Sequence, residues 1–210
     1  MTKIVSVIFP FLLILLVFIS SCQNPIDDFI DHTITLSNQL GSISIKLPPI
    51  FDTSFVWKNV GDGDSYQMYR FANRNYSLIR ETGSFYLEFP DSLLQFTISH
   101  NDGKEIYTDN DAFNLDSIVS RLNKKNYESC MGCDSITWRI REHRIISDHD
   151  FIVIGFEELG RYASLGRIKV LEAITWHHQN TIHFRSECSG SNCGDFIATM
   201  SKSLNTIKMY

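Results

Sequence analysis

Four of the five cysteines stand in two close pairs, Cys130-Met131-Gly132-Cys133 and Cys188-Ser189-Gly190-Ser191-Asn192-Cys193. Four thiolates at these spacings suit a tetrahedral zinc site, a pair of local disulfides, or thiol exchange at the Cys-x-x-Cys. Thiol exchange wants that motif after a strand and at a helix start, where the helix dipole lowers the thiol pKa. Here Cys130 follows a helical pattern and precedes a strand pattern, so the redox role fits poorly. A second group is cationic. Arg139, Arg141 and His143 alternate, and with His183 and Arg185 they would form a stripe across an open sheet face, suited to an acidic glycan, a lipid headgroup or an acidic partner. The competing reading is an ordinary polar face balanced by carboxylates such as Glu142 and Glu172. A five-residue connection from His177 to Thr181 would pair Trp176 with Ile182 and turn His183 to the other face. In that register His177, His178 and His183 diverge, which argues against a histidine metal site.

No serine nucleophile elbow, zinc-protease helix, phosphate loop or dinucleotide fingerprint is present, and Glu157-Glu158 has no positioned partner residue. The formal net charge is −5, without a basic cluster. Nucleic acid is excluded as a partner on that ground, because its binding requires Lys and Arg to neutralise phosphates.

The elements that must position these residues are mostly extended. Ile34 and Leu36, then Ile43, Ile45 and Leu47, alternate as two strands turned at 38–41 and stopped by Pro48-Pro49. Further strands are expected at 66–71, 76–80, 84–89 and 94–100, with turns at Gly61-Asp62-Gly63-Asp64 and Asn101-Asp102-Gly103. Leu115, Ile118, Val119 and Leu122 mark an amphipathic helix at 113–125, capped by Asp111 or Asn114. A meander follows at 136–141, 151–156, 168–176 and 182–185. A last helix opens near Asp195 and carries Ile197, Met200, Leu204 and Ile207 on one stripe. The expected class is α+β, an antiparallel sheet with two main helices packed against it.

The amino-terminal residues address the chain to a compartment. Lys3 precedes an apolar run from Ile4 to Ile19, and Ile19-Ser20-Ser21-Cys22 closes it. This resembles a bacterial lipobox, which implies cleavage before Cys22, a palmitate-type lipid on that cysteine and permanent attachment to a membrane. The run is short for a transmembrane span, contains Pro10 and lacks a cationic stop. Gln23, rather than Asp, follows the cysteine, and in enterobacterial-type sorting this favours the outer membrane, on its periplasmic side or at the cell surface. Asp27, Asp28 and Asp31 read as a solvated tether. The division is therefore 1–21 signal peptide, 22–32 lipidated cysteine and tether, and 33–210 a single domain.

From Ser42-Ile43-Ser44-Ile45-Lys46-Leu47-Pro48, through the helix and four-strand meander, to Asn205-Thr206-Ile207-Lys208-Met209, the order of elements resembles the PsbP-like α-β-α sandwich. That resemblance implies a non-catalytic module that works through protein contacts in the cell envelope, and it carries no site residues. The alternatives are a thiol-redox or other envelope enzyme and a zinc- or small-ligand-binding lipoprotein. No cofactor is expected; the zinc alternative would use Cys130, Cys133, Cys188 and Cys193.

Export also orders the cysteine chemistries. An oxidising envelope favours disulfides, so Cys130 to Cys133 and Cys188 to Cys193 are expected as local bonds pinning two loops at one rim of the sheet.

Overall fold

The computed structural model describes residues 28–60, 65–74, 93–101, 114–129, 136–159, 166–178, 180–190 and 193–210. The strands are β1 Ile30–Thr35, β2 Ser42–Leu47, β3 Thr53–Val60, β4 Ser65–Ala72, β5 Leu93–Asn101, β6 Thr137–Ile146, β7 His149–Leu159, β8 Arg167–His177, β9 Asn180–Ser189 and β10 Lys208–Met209. Helix α1 spans Leu115–Ser129 and α2 spans Phe196–Leu204. The expected strands at 76–80 and 84–89 lie outside the described residues, as do Cys22, Cys130 and Cys133. β1 opens at Ile30, ahead of the expected domain start at residue 33.

Two antiparallel sheets result, one ordered β1-β2-β10 and the other β3-β4-β5-β9-β8-β7-β6. This corrects the α+β expectation of one sheet carrying two main helices: the fold is mostly β, and the helices of the described residues are two short ones. The reason is long-range pairing. β2 takes β1 on one side, with Ile34 opposite Ile43, and on the other side β10, with Met209 opposite Ile43. The small sheet thereby separates from the large one and supplies a layer that helices were expected to supply.

Alternation in β2 aims Ile43, Ile45 and Leu47 at the large sheet, where all three are fully buried against residues such as Phe96, Phe151 and Phe184. Each side chain of this size contributes about 1.5–3 kcal/mol by leaving water. α2 lies on the same side and buries Phe196, Met200 and Leu204. Beyond its end, the Thr206 hydroxyl donates to Ser203 O at 2.7 Å and accepts from Lys46 N at 2.8 Å, which ties the helix to β2.

The other side of the large sheet has its own apolar cluster. Ile152, Ile154 and Phe156 of β7, with Val170 and Ile174 of β8, pack against Ile118 of α1. β7 is buried on both faces, so it reads as a continuous apolar run instead of an alternation. Asn114 caps α1, its side-chain oxygen accepting from Asp116 N at 2.9 Å and Ser117 N at 3.2 Å. Among the described residues no helix is long and apolar enough to cross a membrane.

Candidate binding face

The strand registers place one residue from each of the seven strands in a transverse row: Phe55, Arg70, Thr97, Arg185, Glu172, Ile154 and Arg141. The row lies on the α1 side of the sheet. Arg185 and Arg141 share this face, but β7 and β8 stand between them, about 14 Å of sheet at the usual strand spacing. In that gap stand Glu172 and Ile154, the second belonging to the apolar cluster under α1. His143, opposite Ile152, and His183, opposite Ile174, are divided in the same way.

Arg139 leaves the face altogether. A β-bulge between Trp138 and Ile140 sets Trp138 opposite Phe156 and Ile140 opposite Gly155, so strict alternation fails at this point. Arg139 turns to Glu157 on the α2 side, with the guanidinium 3.0 Å from the carboxylate. Arg141 stays behind, 5.8 Å from the centre of the Trp138 ring, and His143 lies 3.4 Å from Asp150. The five cationic residues therefore form no continuous stripe.

What gathers instead is a closed network centred on β9. Each nitrogen of the Arg185 guanidinium faces a different carboxylate: Nε to Glu187 at 2.9 Å, one terminal nitrogen to Glu172 at 3.1 Å, the other to Glu158 at 3.4 Å. His183 approaches Glu172 at 3.4 Å, and Gln95 donates its side-chain amide to Glu187. Next along the row, Arg70 is buried, donates to the Thr97 hydroxyl at 3.1 Å, and stacks its guanidinium 4.5 Å from the centre of the Trp57 ring.

Burial of Glu172 works against its ionisation, but the His183 hydrogen bond and the charge of Arg185 prevail and hold it at about 2, against an ordinary 4.5. Glu187 is likewise lowered: burial opposes, while Arg185 and Gln95 outweigh it. Burial also opposes the charge on Arg185, yet Glu187, Glu172 and Glu158 together raise its pKa. Glu172 and Glu187 are thus held ionised by donors of the same chain.

Of these residues, sequence reading missed Arg70, Gln95, Thr97, Glu158 and Glu187 as partners. Glu187 carried a signal: it follows Arg185 by two on one strand, so the two must share a face.

The histidines fall in a different register from the expected one. His177 pairs with Asn180 and Thr175 with Ile182, so the β8–β9 connection is a tight two-residue turn. His178 enters it with a left-handed φ of 47°. The backbone reversal brings the His178 ring to 4.1 Å from that of His177, and His149 of β7 lies 5.4 Å from His177 on the other side. Burial, then the neighbouring His178 and His149, lower the pKa of His177. Among the described residues no group of three His, Cys, Asp or Glu side chains is placed to hold a metal ion.

Cys188 at the end of β9 and Cys193 ahead of α2 form a disulfide, with Cα atoms 5.8 Å apart and both residues buried. Sulfurs so joined do not serve as zinc thiolates. Beside them, Lys169 donates to the carbonyls of Cys193 at 2.8 Å and Gly194 at 2.7 Å. Arg139, Glu157, Lys169 and Ile197 line an open cleft of about 340 Å³ at this place. Replacing both Cys188 and Cys193 with Ala is expected to cost about 2–3 kcal/mol, the range for a short closed loop. Urea melts of the oxidised wild type and the double variant measure it, and coincident curves would refute a stabilising role.

No protein-family model and no curated protein matches this chain. Among solved structures, the chain is similar to cyanobacterial PsbP (CyanoP) from Synechocystis, with a TM-score of 0.51 at 13% identity, over 90% of this chain and 98% of that one. A Pseudomonas aeruginosa protein of unknown function is a more distant match, with a TM-score of 0.38 at 8% identity, over 84% of this chain and 94% of that one. At such identities the likeness concerns the backbone alone, and it establishes that the chain shares the fold of the cyanobacterial PsbP.

Proposed function

We propose that this is a lipid-anchored cell-envelope protein whose domain acts without catalysis, through contacts with other proteins. The observation that carries the reading is the closed network on β9: Arg185, Glu158, Glu172, Glu187 and His183 meet one another, and within it the pKa of Glu172 and Glu187 is lowered and that of Arg185 raised, so that these three stay charged. A catalytic site needs a carboxylate or base whose proton affinity is poised for transfer near neutral pH. Glu172, held at about 2, is poised for permanent charge instead. The PsbP-like backbone supports a binding module in the same sense, and the lipobox-like residues before Cys22 support attachment at the outer membrane, on its periplasmic side or at the cell surface.

Two measurements test the proposal. Mass spectrometry of the mature amino terminus is expected to find acylated Cys22, and Cys22→Ala to shift the protein from the membrane to the soluble fraction. Crosslinking in cells followed by affinity capture is expected to recover an envelope protein in stoichiometric amount. An unmodified Cys22 would refute the anchor, and recovery of no protein partner would refute the binding role.

A further inference from the structure

The two edges of the large sheet differ in how they are defended. β6 carries a bulge and the run Arg139, Ile140, Arg141, Glu142, His143, Arg144, and Arg144 reaches across to the Ser201 hydroxyl of α2 and to the Asn205 side chain at its C-cap, each at 3.0 Å. Charges and bulges of this kind are how a sheet edge discourages pairing with another chain. Among the described residues β3 has no bulge and only one charge. Its eight residues pair with β4 without interruption, from Thr53 opposite Ala72 to Val60 opposite Ser65. It contains no proline and a single charged residue, Lys58. Val56 and Val60 are 58% and 71% exposed. On the other face of the strand, Phe55 and Trp57 are already ordered, their rings stacked at 5.3 Å beneath the Arg70 guanidinium.

We propose that β3 pairs with β3 of a second copy of this chain, antiparallel and across a two-fold axis at Val56. The occupant follows from the complementarity of the strand with itself. Centring the pair on Val56 sets Val56 against Val56, Phe55 against Trp57, and Ser54 against Lys58, with Asp52 of one copy diagonal to Lys58 of the other. No like charges meet, and two aromatic cross-strand pairs form, the kind that stabilise antiparallel ladders. Shifting the axis to Trp57 would instead set Lys58 against Val56 and Phe55 against Asn59, and leave a single Trp57–Trp57 pair in place of two aromatic pairs. A single eight-residue strand pair falls below the standard size of a stable interface. The association is therefore weak in dilute solution and strengthens where two copies share a membrane and each raises the other's effective concentration. The inference rests on the protein-contact reading above and names the partner.

Cysteine crosslinking of the full chain in native membranes tests it, with wild type as the background control. Directly opposed residues of an antiparallel pair fall within disulfide reach, whereas residues four positions apart along a strand do not. Val56→Cys is expected to form a disulfide dimer on mild oxidation. Ser54→Cys and Lys58→Cys chains are expected to crosslink with each other when co-expressed, and neither with itself. Val56→Asp, which opposes two carboxylates, is expected to abolish the crosslink of the Ser54→Cys and Lys58→Cys pair. Failure of Val56→Cys to crosslink, or equal self-crosslinking at positions 54, 56 and 58, overturns the self-pairing. A different envelope protein captured in the same cells would leave the broader binding reading standing while the self-pairing falls.

Discussion

Replacing Arg185 with Met is expected to destabilise the domain by about 2–3 kcal/mol, less than the cost of removing one partner from a fully buried ionic group, because the guanidinium and its three carboxylates are only partly buried. The substitution keeps much of the side-chain volume but leaves Glu158, Glu172 and Glu187 facing one another without the guanidinium that separates them. Arg185→Lys is expected to recover only part of the loss, because an ammonium cannot address three carboxylates in fixed directions. The same network sets a pH dependence. The Glu172 carboxyl is lowered in the folded state to about 2, so its contribution is fully present above its ordinary 4.5 and is lost as the pH falls towards 2. Urea denaturation of wild type between pH 2 and 6 should show this slope, and Glu172→Gln should flatten it. A loss below about 1 kcal/mol for Arg185→Met would mean that the carboxylates rearrange or protonate at little cost, and the network would then lose its structural role.

Gly41→Ala is expected to cost about 2–4 kcal/mol, combining backbone strain with a lost pairing. Gly41 holds φ at +83°, and a Cβ there would sit 1.8 Å from the carbonyl oxygen of Tyr210. That carbonyl accepts from Ser42 N at 3.1 Å, and Tyr210 N donates to Ser42 O at 3.0 Å, so the chain after β10 must be displaced to admit a methyl group. The companion experiment deletes Tyr210. In the shortened chain, Gly41→Ala should cost only the strain of its left-handed backbone, about 1–2 kcal/mol. Equal losses in both backgrounds would show that the Tyr210 carbonyl is not the obstacle. Gly190 offers the contrast: its φ is also positive, at +98°, but a Cβ there meets nothing within 4 Å.

What could be read from the sequence was what repeats locally. The alternation of Ile43, Ile45 and Leu47, the 3.6-residue spacing of Leu115, Ile118, Val119 and Leu122, and the cap at Asn114 each lie within a few residues of what they determine. β3 was missed because valines and aromatics occupy both of its faces and blur the period. β10 was missed because two residues carry no period at all, and without it the small sheet could not be told from the large one. The spacing of the five cationic residues depends on β8 and β7 standing between β9 and β6, and on two single-residue steps. One bulge at Trp138 and Ile140 turned Arg139 away from Arg141, and one tight turn at His178 shifted the register of β8 on β9. The network itself joins Arg70, Gln95, Glu158, Glu172 and Arg185 from five strands, a convergence that only the tertiary pairing creates.

The closing of β2 by β10 has a consequence for the order of events as the chain is made. Lys46 and its hydroxyl partner Thr206 are 160 positions apart, and β10 lies farther still along the chain. A chain emerging lengthwise from a ribosome, or threading through a membrane pore, presents Ile43, Ile45 and Leu47 long before the segment that completes their sheet. Contacts between such distant segments form slowly, because the intervening loop must be closed first. The small sheet therefore acts as a latch that closes only after β10, the segment following α2, has emerged, and until then the β2 edge that β10 covers stays unpaired.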